Sequence, residues 1–277
     1  MAFVFRFASA IKLSSSMTLP LFTSVLPLTR LKASALLPRL STLPALVMLP
    51  AICLLLSQSA IAQAVPDTLS QRLMACTSCH GKQGRAANDG YYPRIAGKPE
   101  GYLFNQLKNF KDGKRTYPVM TYMVGNMSDA YLQEIATFFS DQHPPYPAPQ
   151  QLDIPAASIE RGRQLVQHGD TQKKIPACVS CHGDKMTGVA PFIPGLLGLP
   201  RDYINGQLGA WQTGSRHAQA PDCMEQIAQK LSPQDVSAVS AWLASQALPA
   251  DPLSIAAKDM TASLPMRCGS VPLMGAK

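Results

Sequence analysis

The chain has 277 residues, a formal net charge of +8, 46% hydrophobic and 15% charged residues, and seven cysteines. This length permits one large domain or two small ones, and the composition excludes a disordered polyelectrolyte. Seven cysteines are too few for a small disulfide-rich scaffold in a chain of this size, so they need another explanation.

The first 64 residues have the pattern of a secretory signal peptide. They contain five basic and no acidic residues, and the apolar run 43–56 leads into the small-residue cleavage site Ala62-Gln63-Ala64. We expect cleavage after Ala64, with Ala62 as the alternative and Met17 as an alternative start of translation. A transmembrane anchor fits less well, because two prolines interrupt an apolar run that is shorter than the ~20 residues a span needs.

Removal of residues 1–64 changes the charge argument. Taking five basic residues from 25 leaves 20 against 17 acidic ones, a net charge of +3, and Cys53 is removed as well. A charge this small gives no support to nucleic acid as a partner. We therefore predict an exported, periplasmic protein, with peripheral association to the membrane left open as an alternative.

The rest of the sequence repeats itself. The motif Cys-x-x-Cys-His-Gly occurs at 76–81 and again at 178–183, and the segment 102–107 matches 203–208. Such a repeat predicts two homologous units. Between them, residues 141–149 are rich in proline and cannot be helical. The predicted boundaries are 65–143 for the first unit, 144–157 for a proline-rich linker and 158–277 for the second unit with a tail.

Both units are predicted to be all-α. Apolar residues recur at helical spacing over 101–110, 132–139 and 236–243, and Ser128 and Ser232 are candidate N-caps. The remaining helices are predicted over 66–74 and 158–167. No segment shows the alternation of a half-buried strand.

Cys-x-x-Cys-His in an exported protein predicts covalent attachment of c-type haem. Two thiols two residues apart reach both vinyl groups of one porphyrin, and the adjacent histidine becomes the proximal iron ligand. A shared zinc site, a thioredoxin-like motif and disulfides within each motif are weaker alternatives. The motifs are 102 residues apart, no βαβ pattern surrounds them, and a disulfide across two residues is strained. The predicted attachment residues for two haems are Cys76, Cys79 and His80 in the first unit and Cys178, Cys181 and His182 in the second.

The repeat also assigns the sixth iron ligand. Met120 and Met224 occupy matching positions, whereas Met123 has no methionine counterpart and Met186 follows His182 too closely to reach the opposite haem face. Bis-histidine ligation is not expected, because the other histidines do not match between the units. These predicted surface residues are His143, His168 and His217.

Two prolines follow the motif histidines at similar distances. Pro93 and Pro194 lie 13 and 12 residues after His80 and His182. A backbone carbonyl there could accept the imidazole Nδ1–H and fix the ring, although a proline at this point could equally mark a turn.

Together these motifs resemble the cytochrome c4 type of dihaem class I cytochromes c. The resemblance covers about residues 69–246 and rests on both cysteine motifs, Pro-Arg-Ile-Ala-Gly at 93–97, Tyr-Leu-Phe-Asn-Gln-Leu at 102–107 and Val-Met-Thr at 119–121. It implies two tandem cytochrome c-fold domains with one His/Met-ligated haem each. The implied ligand pairs are His80 with Met120 and His182 with Met224.

The resemblance further implies an electron carrier of the respiratory chain and not an enzyme. Its implied partners are redox proteins such as a quinol-oxidising complex and a terminal oxidase. Two alternatives stay open, a catalytic dihaem enzyme such as a peroxidase or thiosulfate-oxidising cytochrome, and a cytochrome subunit of a larger dehydrogenase. No oligomeric state is predicted.

Two cysteines lie outside the motifs and the leader. Once four cysteines are assigned to haem and Cys53 to the leader, Cys223 and Cys268 remain. An oxidising compartment favours a disulfide between them. Such a bond would hold the tail after Gln246 beside the second haem.

Overall fold

The computed structural model describes residues 65–86 and 91–272. Helices dominate the regular structure of this part of the chain, as predicted. The predicted leader 1–64, with its cleavage site and Cys53, lies outside the described residues. None of the helices within the described ranges is long and apolar enough to cross a bilayer.

Residues 65–140, here called the first half, are helical where they are regular. The described part contains α1 (Leu69–Arg72), α2 (Met74–His80), α3 (Glu100–Lys111), α4 (Pro118–Val124) and α5 (Asp129–Ser140), with a 3-10 turn at Lys82–Gly84 after α2. The single helix predicted over 66–74 was wrong in extent. Leu73 separates α1 from α2, because its backbone leaves the helical conformation (φ −82°, ψ 1°); its side chain is buried.

Residues 156–272, here called the second half, combine helices with a small sheet. Its helices are α6 (Ala156–His168), α7 (Val179–His182), α8 (Arg201–Gln212), α9 (Cys223–Ala228) and α10 (Pro233–Ser245). Its strands are β1 (Gly188–Ala190), β2 (Ile193–Pro194) and β3 (Ile255–Ala256), followed by a 3-10 turn at Ala257–Asp259.

The small sheet corrects the prediction of a purely α-helical chain. β1 is central; Val189 pairs with Ile193 of antiparallel β2 and with Ile255 of parallel β3. Strands of two or three residues are too short to show an alternating pattern, and β3 belongs to the tail, far from β1 in sequence. The fold is therefore mostly helical rather than all-α.

Each half has a hydrophobic cluster, and the predicted helical stripes supply much of both. In the first half, α3 and α5 contribute Leu103, Phe110, Leu132, Ile135 and Phe139. In the second, α6, α8 and α10 contribute Leu165, Ile204, Leu208, Val239 and Leu243. α6 and α10 approach so closely that a Cβ at Gly162 would lie 2.2 Å from the carbonyl oxygen of Ala238.

Residues 141–149 of the proline-rich connection are non-helical, as predicted, and they are held against the first half. Arg94 is buried; its guanidinium donates to the carbonyls of Pro144 (2.5 Å) and Pro145 (3.1 Å) and lies 3.7 Å from the ring centre of Tyr146. The linker boundaries themselves stay a prediction, although α6 begins at Ala156, two residues before the predicted start.

Asp235 caps α10 and pairs with two cations. Both predicted N-caps are confirmed: the Ser128 side chain accepts from Tyr131 N–H, and Ser232 forms a capping box with Asp235. Asp235 also accepts from Arg161 Nε at 2.8 Å and Lys173 Nζ at 2.5 Å. Burial alone raises the pKa of this carboxyl, but hydrogen bonds from Lys173, Arg161 and Ser232 outweigh burial and hold the pKa well below its ordinary value.

We expect Asp235→Asn to lower the free energy of unfolding at pH 7 by about 2 kcal/mol, because two cations lose their buried partner. The carboxylate stabilises the fold above its unfolded pKa of about 4 and loses this effect as the pH falls through the lower folded pKa. Thermal unfolding against pH should therefore show a difference between variant and parent that shrinks in acid.

The control for this variant is Asp129→Asn. Asp129 pairs with Lys108 and Lys111, but its side chain is 55% exposed. Ion pairs at the surface contribute little, so this substitution should leave the unfolding temperature nearly unchanged. Equal losses in the two variants would contradict the assigned role of Asp235.

Candidate functional site

The residues predicted to form the site line one continuous cavity. Its volume is about 820 Å³, and both halves contribute to its walls. The lining includes all ten predicted site residues: Cys76, Cys79, His80, Pro93, Met120, Cys178, Cys181, His182, Pro194 and Met224. The structure thus brings these residues together, and their roles toward haem stay predictions.

The two histidines are positioned by helix ends. α2 ends at His80 and α7 at His182, and each is followed by a glycine with positive φ, +75° at Gly81 and +81° at Gly183. This left-handed conformation favours glycine and ends the helix directly after the histidine. At Gly81 a Cβ would also lie 2.9 Å from the carbonyl oxygen of Ala86, so the turn is closely packed.

Both imidazoles are held in one tautomer. Nδ1–H of His80 donates to the carbonyl of Pro93 at 2.9 Å, and Nδ1–H of His182 donates to the carbonyl of Pro194 at 2.8 Å. Burial lowers the pKa of both rings, which favours the neutral form. Each Nε2 is therefore left as the ring nitrogen that can bind a metal.

The four motif cysteines are not paired with one another. None of the four is in a disulfide, and within the described residues none belongs to a group of three or more potential metal ligands. These observations disfavour both the motif disulfide and the shared zinc site. Both cysteines of the second motif are shielded from solvent, and burial raises the pKa of Cys178 to about 12 and that of Cys181 to about 11.

The structure narrows the candidate methionine ligands of the iron but does not select among all of them. Met120 lies in α4 and Met224 in α9, and both line the cavity, but so does Met123. Met186 is 3% exposed within the hydrophobic cluster of the second half and does not line the cavity. The structure therefore excludes Met186, and the repeat is what separates Met120 from Met123.

Two arginines in the cavity wall had no predicted role. Arg115 and Arg216 pair through an isolated antiparallel bridge, and each guanidinium donates to the side-chain oxygens of both Gln106 and Gln207, at 2.6–3.0 Å. Both pairs follow the repeat offset of 101, so equivalent residues of the two halves meet each other. The matching segments could have drawn attention to these residues, but not to their contact.

These arginines bring positive charge into the site, and neither is paired with a carboxylate in the part of the chain that the structure describes. Arg216 is 4% exposed, and neither Arg115 nor Arg216 forms a salt bridge with any described residue. Lys98 adds a third basic side chain, 5% exposed, whose Nζ donates to the carbonyl of Gly195 at 2.8 Å. Burial lowers the pKa of Lys98 to about 7. Because buried cations need counter-charges, this wall favours an anionic group in the cavity.

The predicted surface histidines differ in environment. His143 and His168 are exposed, as predicted. His217 is only partly exposed, and its Nδ1 lies 3.4 Å from a carboxylate oxygen of Glu225. Asp222 lies beside this pair, caps α9 and accepts from Trp211 Nε1–H at 3.2 Å. These contacts explain the cluster as structural.

The disulfide between Cys223 and Cys268 is confirmed. It joins the first residue of α9 to the tail, directly beside Met224. Cys268, Ser270 and Val271 of the tail line the cavity as well.

Known proteins that are similar to this chain include c-type cytochromes, which fits this site. A family model described as cytochrome c matches residues 159–247. Cytochrome c4 of Pseudomonas aeruginosa is 32% identical over 199 residues, which cover 69% of this chain and 94% of that protein. The chain belongs to the cytochrome c family, and within it to the cytochrome c4 type. Membership implies covalently bound haem c and a role in electron transport.

Two further relatives extend the comparison. A thiosulfate dehydrogenase electron acceptor from Thiomonas intermedia is 39% identical to this cytochrome over 68% of the chain and 83% of that protein. The crystal structure of reduced recombinant cytochrome c4 from Pseudomonas stutzeri aligns with a TM-score of 0.55 at 29% identity, over 63% of this chain and 95% of that one.

The disulfide can be checked by peptide mapping. We expect a protease digest made without reductant to contain one cross-linked species that carries both Cys223 and Cys268, which separates on reduction. In the denatured, unreduced cytochrome neither residue should react with iodoacetamide. Alkylation of either one before reduction would contradict the assignment.

Proposed function

We propose that the protein is a dihaem c-type cytochrome that carries electrons and catalyses no reaction of its own. One observation supports this most directly: each half places two thiols, a neutral imidazole with a free Nε2, and a methionine around one cavity. The same set occurs twice, which supports two haems rather than one.

The residues present fit covalent haem. Cys76 and Cys79 would form the thioethers of the first haem, and Cys178 and Cys181 those of the second. Haem also carries two propionates, and the cavity wall that contains Arg115 supplies cations for them. Bound in this way, the haem irons supply one-electron exchange between the ferrous and ferric states.

The protein side chains would determine how this exchange proceeds. The Pro93 and Pro194 carbonyls hold the proton on Nδ1 of each histidine, which would leave Nε2 of each ring to bind the iron. The thioethers of Met120 and Met224 would fill the remaining axial position, favour the ferrous state and leave no coordination site for a substrate. This supports a carrier over a catalytic enzyme.

We propose a thiosulfate-oxidising dehydrogenase as the electron donor. The support is the similarity to a protein named thiosulfate dehydrogenase electron acceptor, at 39% identity over most of both chains. The leader-like pattern of residues 1–64 supports a periplasmic location for this exchange. A terminal oxidase as the acceptor stays a prediction from the family.

Stopped-flow absorption spectroscopy tests donor and carrier role together. The ferric cytochrome should be reduced when thiosulfate and a catalytic amount of purified thiosulfate dehydrogenase are added. Thiosulfate alone should leave it oxidised. Reduction by thiosulfate without the dehydrogenase would favour the enzyme alternative, and no reduction in either case would exclude this donor.

The methionine assignment is tested by single variants of the haem-loaded cytochrome. Ferric haem with an iron–thioether bond has a weak far-red absorption band, so Met120→Ala and Met224→Ala should each remove about half of it. Met123→Leu is the control, because Met123 lines the same cavity and should leave the band intact. A loss in Met123→Leu equal to that in Met120→Ala would transfer the assignment to Met123.

A further inference from the structure

The tail, residues 247–272, packs along the second half and has no counterpart in the first. Its strand β3 pairs with β1. Leu264, 7% exposed, then packs with Val189 and Ile193 of the hairpin that leads to Pro194. Further along, Asn105 of the first half donates its side-chain N–H to the carbonyl of Ser270 at 3.2 Å. The tail is thus an ordered part of the site wall.

The end of the tail is fastened to the segment that carries Met224. Cys268 is bonded to Cys223, the residue before Met224. The next residue, Gly269, donates its backbone N–H to the carbonyl of Pro221 at 3.0 Å. A Cβ at Gly269 would lie only 2.1 Å from the carbonyl oxygen of Ala220. The tail therefore lies directly against residues 217–223, the loop that precedes Met224.

This loop is where the second half is longer than the first. Seven residues separate Arg216 from Met224, whereas four separate Arg115 from Met120. A longer connection allows more conformations, so it costs more entropy to hold its methionine in one place. The disulfide and Gly269 fasten the tail to the lengthened loop and the residue at its end.

The first half shows the same position without a tail. Val119 corresponds to Cys223, and its side chain is 54% exposed. Here the connection is short, and α4 begins with Pro118, whose fixed φ restricts the backbone beside Met120. A short connection therefore needs no such fastening.

We propose that Cys223, Cys268 and Gly269 are positioning residues that hold Met224 at the second haem. They act on the iron only through Met224 and compensate for the longer loop. Without them the Met224 segment opens more often, and an external ligand displaces the thioether more easily. This proposal rests on the proposed His/Met ligation, and it adds residues that belong to the second half alone.

The experiment measures displacement of Met224 by imidazole in the ferric, haem-loaded cytochrome. It uses the Met120→Ala background, in which the far-red band reports the second haem alone. In this background we expect Cys223→Ser/Cys268→Ser to lower the imidazole concentration at half displacement by about tenfold, since the apparent affinity scales with the open fraction. Gly269→Ala should shift it in the same direction with the disulfide intact.

Two controls make the effect specific. Thr261→Ala removes a different tail contact, the 3.3 Å hydrogen bond to Asp184, and should leave the midpoint unchanged. In the Met224→Ala background, where only the first haem contributes, the cysteine substitutions should also have no effect. A shift in that background would mean general loosening of the fold and would overturn the proposal.

The remaining outcomes are equally distinct. If replacing both cysteines changes the imidazole concentration at half displacement by less than about twofold, the positioning role is overturned. If the double variant does not fold, the disulfide of the folded Met120→Ala protein is reduced and alkylated, the haem is reoxidised with ferricyanide, and the same criterion applies. Absence of any far-red band in the Met120→Ala background would instead contradict Met224 as a ligand and hence the proposed function.

Discussion

Where the two halves meet, a pair of arginines is held by a pair of glutamines. Arg115 and Arg216 lie beside each other, and each shares its donors between Gln106 and Gln207. Two like charges placed together in a buried wall are unfavourable unless counter-charge is supplied. The two arginines therefore favour an anionic group in the cavity, and haem propionates would supply the negative charge. In this way the contact between the halves is linked to the chemistry of the proposed haem.

The two sites are similar in their donors but not in their surroundings. Each motif histidine donates to a proline carbonyl, and each half contributes two thiols and a methionine. The second site alone has a tail across its wall and a disulfide beside its methionine. Lys98, which comes from the first half, also lies at the second site through its bond to the Gly195 carbonyl. A duplicated sequence has therefore produced two unequal environments.

Short and distant elements limited what could be predicted. The helices α3, α5 and α10, of 12 or 13 residues, follow from apolar spacings that are sustained over 8 to 10 residues. The strand pair Val189–Ile255 has no such period, because two or three residues cannot display one. Leu73 similarly divides a helix that the sequence predicts as continuous, and the apolar spacing around it does not reveal this break.

The sequence by itself determined the features that act through near neighbours or through exact repetition. These are the helical class, the N-caps, the haem-attachment pattern, the matching of Met120 with Met224, and the Cys223–Cys268 pair that remained after the other cysteines were assigned. Only the tertiary structure decided the contact of Arg115 with Arg216, the burial of Lys98 and the path of the tail. The physical reason is that such contacts join residues distant in the chain, and they are set by packing and by the burial of charge rather than by local period or motif.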